Sequence, residues 1–379
     1  MKSFFTPLIF LLSCYGLLAA PKTNAKITEY SDGSPQRIYF APNGDIRAVV
    51  TCTMINERRH ECWVVDPLKE KIIAGPMKHD VQIYLAVISP DGKTVATCCI
   101  DKTLRLWDAV SGKQLLDTMT FSHSSSCLCF SPDSKKFVMN SNKFAYVCDT
   151  STGKQLFEPI EHEEFVRYAQ FSPDGKILAT SAKYSASFWD AENGKQIREP
   201  IAVTGSIDKI CFNRKSSLIG LAYAGGVQVW DLEKNKPLTP AIGKDSIHKS
   251  GMSNAAGDKF LSCGRSYNNK ISNHGRAYLI DLNTGKLEHP EFSLSATVQN
   301  VDFTSDSKLF LASTYDGKLS LWNVSTGKCI SPEMKHDEEQ IVAKFSPDGT
   351  KIFTISRWIL KTSVWDVATG KLIAEKAIP

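Results

Sequence analysis

Several common signals are missing from this chain, and each absence narrows what it does. Beyond the first twenty residues no apolar run reaches the ~18–20 residues that a helical membrane span needs. No low-complexity tract breaks the 379 residues, and no stretch carries a helix signal. Neither sign of charge dominates: 45 Lys and Arg face 40 Asp and Glu, a net charge of +5. Nucleic-acid binders gather basic residues into a patch, so a nucleic-acid partner is not expected. The sequence has no His-Glu-x-x-His, no Gly-Lys-Ser/Thr phosphate loop and no Gly-x-Ser-x-Gly elbow. Its Cys and His spacings match no zinc site. No catalytic residue, metal or cofactor is therefore assigned.

The first twenty residues differ from the rest. Met1-Lys2-Ser3 gives a short positive start, Phe4 to Leu18 is almost wholly apolar, and Leu18-Ala19-Ala20 offers small residues for cleavage. Residues 1–20 thus read as a secretory signal peptide, and the protein is expected to be exported, periplasmic or extracellular, with no transmembrane span left after cleavage. Leu11-Leu12-Ser13-Cys14 also has the form of a bacterial lipoprotein box, which makes a lipid anchor at Cys14 the alternative. Against it, the apolar run continues past Cys14, where a lipidated Cys normally meets a polar tether.

The other ten cysteines lack small-domain disulfide spacing. Most lie in strand-like runs and read as small buried hydrophobes. Cys52 and Cys62, set symmetrically about the turn Asn56-Glu57-Arg58-Arg59-His60, are the candidate disulfide.

What the chain does have is repetition. A unit of aromatic-Ser-Pro-Asp-Gly, an apolar strand, Trp-Asp and Thr-Gly-Lys returns eight times, clearest at Phe171-Ser172-Pro173-Asp174-Gly175, Ile177 to Thr180 and Phe188-Trp189-Asp190. Its third-strand ends fall at Asp66, Asp108, Asp149, Asp190, Asp231, Asp281, Asn323 and Asp366, a period of 41–43 residues with one step of 50. Asn213-Arg214-Lys215 and Thr304-Ser305-Asp306 are worn copies of the Pro-Asp-Gly turn. Each unit predicts four antiparallel strands. Such a small sheet cannot bury both faces alone, and stacking the sheets radially into a closed ring solves that.

These residues resemble the WD-repeat β-propeller family, in which each unit is one blade. The resemblance spans about residues 36–379 and implies an all-β, eight-bladed propeller, with seven blades as the alternative. The run Glu158 to His162 followed by Phe165-Val166-Arg167 is similar to bacterial members. Either Lys371 to Ala374 or Lys26 to Tyr30, within the N-terminal segment 21–35, supplies the closing strand, with the C-terminal one favoured. The resemblance also implies a structural tetrad in which a His, a strand Ser or Thr, a turn Asp and the Trp support one another: His79, Thr97, Asp101 and Trp107. Ser313, Asp316 and Trp322 form a partial set without a His. His79, His162 and His336 each stand nine residues before the aromatic position and read as scaffold.

Function is left to the places where the repeat breaks. The long step holds an insertion between Gly264 and Gly275 that includes Arg265, Tyr267 and His274, with Arg276 just beyond. The matching turns carry Arg58 and Arg59 in the first unit, Lys183-Tyr184 in the fourth and Trp358 in the eighth. All emerge on one rim of a propeller. Arg58, Arg59, Tyr184, Arg265, Tyr267, His274, Arg276 and Trp358 are the candidate partner-binding residues, since Arg, Tyr and Trp are favoured anchors. Acidic loops carrying Glu161, Glu163, Glu164 and Asp337 to Glu339 share that rim, so its potential is mixed. The expected role is a monomeric, non-enzymatic scaffold for a protein or peptide. A hydrolase or lyase acting over the central channel and a carbohydrate-binding envelope module are the alternatives, because propeller enzymes assemble sites from separated loops.

Overall fold

In the computed structural model, residues 37–377 are described apart from 41–45, 55–58, 67–70, 126, 245, 267–273, 332–333, 337–340 and 357–360. The described residues form eight sheets of four antiparallel strands, with no helix among them. Within every sheet the strands pair in chain order, so each blade is a simple meander of consecutive strands. Blades 1 to 8 span residues 37–79, 83–120, 128–161, 166–202, 207–237, 246–294, 298–335 and 341–377.

The repeated turn residues account for this meander. In blade 4, Gly175 N–H donates to the Ser172 carbonyl at 2.9 Å with Gly175 at φ +73°. The Ser172 hydroxyl donates to Asp174 at 2.6 Å and accepts from Ile177 N–H at 2.9 Å. Side-chain caps of this kind satisfy backbone donors that the tight turn strands. The worn turns fold the same way: Ser216 and Ser307 take the left-handed place of the glycine at φ +59° and +60°. In blades 2 to 8 the Asp or, in blade 7, Asn at the end of the third strand caps the next turn, as when Asp108 accepts from Ser111 N–H at 2.6 Å and Ser111 Oγ at 2.7 Å.

No blade has a core of its own. The described residues form eight hydrophobic clusters, and each one straddles the seam between two neighbouring blades. Between blades 5 and 6, Cys211, Val227 and Val229 pack with Phe260, Tyr278 and Ile280. Between blades 8 and 1, Phe353, Ile355 and Val364 pack with Val65, which closes the ring. Leu372–Ala377 pairs with Lys361–Asp366 as the fourth strand of blade 8, so the C-terminal strand completes that sheet. The other closing candidate, Lys26 to Tyr30, lies outside the described residues.

The register corrects the disulfide reading. In blade 1, Thr51 is the residue opposite Cys62, and Cys52 is opposite Glu61. Successive strand positions alternate faces, so a one-residue offset takes Cys52 out of line with Cys62. Cys62 is a free, buried thiol whose pKa burial pushes up. Cys98, Cys99, Cys127, Cys148, Cys211 and Cys263 are likewise buried and in no disulfide.

Candidate binding rim

Chain direction in the meander puts the turns between second and third strands on the same rim as the connections between blades. Hydrogen bonds tie the two sets together. Ile100 N–H donates to the Gln82 carbonyl at 3.0 Å, His162 N–H to Lys143 at 2.9 Å, and Val203 N–H to Tyr184 at 2.8 Å.

Of the sequence-predicted rim residues, Tyr184 is 50% exposed at the tip of its turn. Lys183, at φ +50°, holds its ammonium 5.5 Å from the Tyr184 ring centroid and 2.7 Å from Glu164. That carboxylate raises the Lys183 pKa. His274 is exposed, and Arg276 is bound to Glu291 at 3.2 Å. Arg58, Tyr267 and Trp358 lie outside the described residues, as do the side chains of Arg59 and Arg265. The backbone places Arg59 opposite Met54, and Arg265 opposite Ile247 and Gly275. Part of the insertion therefore lengthens the blade 6 hairpin, whose second strand Lys259–Ser266 has eight residues against six in blade 7.

Among the described residues, several charges of this rim are paired. Lys183 meets Glu164, Lys143 meets Glu161, and Arg105 approaches Asp80 at 3.6 Å. Between them the rim exposes apolar residues outside the predicted binding set: Phe165 at 65%, Ile100 at 49% and Tyr315 at 44%. The signal was available, since each sits in a turn or connection beside buried strand residues, where a polar residue is the norm. Register places Val166 opposite Ala182, which brings Phe165 to the same corner of blade 4 as Lys183 and Tyr184.

The tetrad is only partly assembled around His79. Trp107 Nε1 donates to Thr97 Oγ1 at 2.9 Å. Asp101 instead accepts from Thr103, at 2.7 Å from its hydroxyl. His79 Nδ1 faces Cys99 Sγ at 3.0 Å and an Arg105 nitrogen at 3.3 Å. A guanidinium only donates, so Nδ1 accepts and the ring proton sits on Nε2, which is buried without a partner. Burial first, then Arg105, pulls the His79 pKa down to about 4. Burial likewise pushes the Cys99 thiol up to about 12, so the pair is no nucleophilic dyad. The fuller chain is in blade 4, where His162 Nε2 and Trp189 Nε1 both lie 2.8 Å from Thr180 Oγ1. His precedes Thr by 18 residues in both blades, a spacing that the sequence displays. Arg105 accounts for the difference. In blade 4 the same third-strand place holds Ser187, too short to draw the imidazole away.

Family comparison agrees with this architecture. A model described as WD domain, G-beta repeat matches residues 77–108, 153–190 and 288–323. No curated protein matches the chain. Among solved structures, the computationally designed Ika8 protein is 19% identical with a TM-score of 0.66, covering 80% of this chain and 89% of its own. Hydrazine synthase of Kuenenia stuttgartiensis is 11% identical with a TM-score of 0.57, covering 75% of this chain and 95% of its own. At these identities the likeness concerns the fold. The molecule is a β-propeller of eight four-stranded blades. It carries three matched WD40 repeats and fits a WD-repeat family.

Proposed function

We propose that this propeller is a non-enzymatic scaffold that docks a protein or peptide on the rim carrying Tyr184, outside the cytoplasm. The observation that supports the reading is the exposure of Phe165 and Tyr184 at one corner, among charges already paired with one another. Exposed aromatics flanked by neutralised charge favour an apolar or aromatic anchor on the partner. The extracytoplasmic setting rests on the first twenty residues.

The test places a photo-crosslinking residue at Tyr184 and, as control, at Val110 on the opposite rim, in protein expressed in its native envelope. A discrete crosslinked protein at Tyr184 that disappears with Phe165→Ala supports the reading. Equal crosslinking at both sites, or none, overturns it. The same exposed aromatics would suit sugar stacking, so a glycan array separates a carbohydrate-binding module from a protein scaffold. Retention of one glycan class, lost with Tyr184→Ala, would favour the module.

A further inference from the structure

The charges around Phe165 and Tyr184 say what kind of partner fits that corner. In the connection into blade 4 exposure alternates. His162 and Val166 are buried, Glu164 is half-buried, and Glu163 and Phe165 project into solvent. The turns of blades 3 and 4 share one arrangement of cation, ring and acid. Lys143 stands 5.4 Å from the Phe144 ring centroid and is paired with Glu161. Lys183 stands 5.5 Å from the Tyr184 centroid and is paired with Glu164. Arg167, two residues beyond Phe165, approaches Asp208 at 3.9 Å. Three cations thus meet three acids. Glu163 is the exception, a fourth acid with no ion pair among the described residues.

On the far side of Tyr184 the charge ends. The connection out of blade 4, Ala202 to Ser206, holds no charged residue. It is tied to the turn by Val203 N–H, which donates to the Tyr184 carbonyl at 2.8 Å, and by Ile207 N–H, which donates to that of Lys183 at 3.4 Å. The corner therefore runs from an unpaired carboxylate, past two exposed aromatic rings, to an uncharged flank.

We propose that this corner binds a short segment of a partner protein that presents a cationic side chain, arginine best, beside an apolar one. The proposal rests on the rim-docking reading and adds the chemistry of the partner to it. The cation meets Glu163, where a guanidinium offers a carboxylate two parallel hydrogen bonds. Its planar face suits the neighbouring Phe165 ring. The apolar side chain packs against Phe165 and Tyr184. Lys143 and Lys183 do not oppose the incoming cation, since each is held by its own glutamate and ring. An acidic segment is disfavoured, because it would face Glu163 with no free cation of this corner to receive it.

A library of short random peptides displayed on phage, selected on the full chain and counter-selected on the Tyr184→Ala chain, tests this. Enriched peptides should carry arginine or lysine beside an aromatic or aliphatic residue. One such peptide, made synthetically with a fluorophore, should bind the chain in an anisotropy titration. Its affinity should fall about three- to fivefold in Glu163→Gln, as an exposed ion pair allows, and further in Glu163→Lys. Glu163→Asp should retain it, and Phe165→Ala should weaken it without removing the preference for a basic residue. The substituted side chains are exposed, and circular dichroism with thermal unfolding checks that each variant keeps its fold. Enriched peptides that are acidic or uncharged, or an affinity unchanged in Glu163→Lys, overturn the proposal and leave the rim reading standing. No enrichment over the Tyr184→Ala chain overturns both.

Discussion

His162 and Trp189 converge on a single oxygen. The imidazole Nε2 and the indole Nε1 both lie 2.8 Å from Thr180 Oγ1, and the two rings meet edge-on at 5.4 Å. A buried hydroxyl serving two partners is worth more than one hydrogen bond. Thr180→Val leaves both ring nitrogens unsatisfied and should cost about 2–3 kcal/mol. Thr97→Val strands only the Trp107 donor and should cost about 1–2 kcal/mol. Urea unfolding of the two variants checks the order; equal losses would deny the shared role.

Stability should fall on mild acidification. Burial depresses the pKa of His79 to about 4 and lowers that of His162, while an unfolded chain titrates near the ordinary value of 6.5. A group whose folded pKa is depressed contributes fully above the unfolded value and loses that contribution as pH drops toward the folded one. The window for His79 is therefore about pH 6.5 to 4, with a slope of up to about 1.4 kcal/mol per pH unit per group. His79→Gln should flatten the curve of unfolding free energy against pH across that window.

Below that range the turn carboxylates take over. Backbone and side-chain donation by Ser111 lowers the pKa of Asp108, and the hydroxyls of Ser151 and Thr369 lower those of Asp149 and Asp366. Their contribution is present above the ordinary carboxylate range and is lost as pH falls through the depressed values. Asp108→Asn should shift the low-pH unfolding midpoint upward only slightly, because this cap is exposed.

Ser307 sits at φ +60°, a left-handed conformation that disfavours a β-carbon. Ser307→Gly should stabilise the protein by about 0.5–1 kcal/mol, the relieved strain exceeding the added entropy of the unfolded chain. A higher urea midpoint with unchanged slope is the expected result.

The sequence announced the propeller because its turn chemistry is local. Ser-Pro-Asp-Gly and Asp-x-x-Thr-Gly specify φ signs and caps within a few residues, and even the worn copies kept a residue able to adopt the left-handed place. What stayed hidden depends on residues far apart in the chain. Arg105 diverts His79 from Thr97 across a seam that no single repeat contains. The exposure of Phe165 and Tyr315 depends on neighbouring turns.

The closure of the ring has a mechanical consequence. Blade 8 takes its last strand from Leu372–Ala377 and blade 1 takes its own from Lys71–His79, so no sheet among the described residues borrows a strand across the join. Among the described residues, Val65 packs against Phe353 and Ile355 across that join. Like the other joints between blades, it is a seam of packed apolar side chains. Moving the break to any other joint, by linking the present ends and cutting elsewhere, leaves all the sheets whole, and circular permutants should assemble the same wheel.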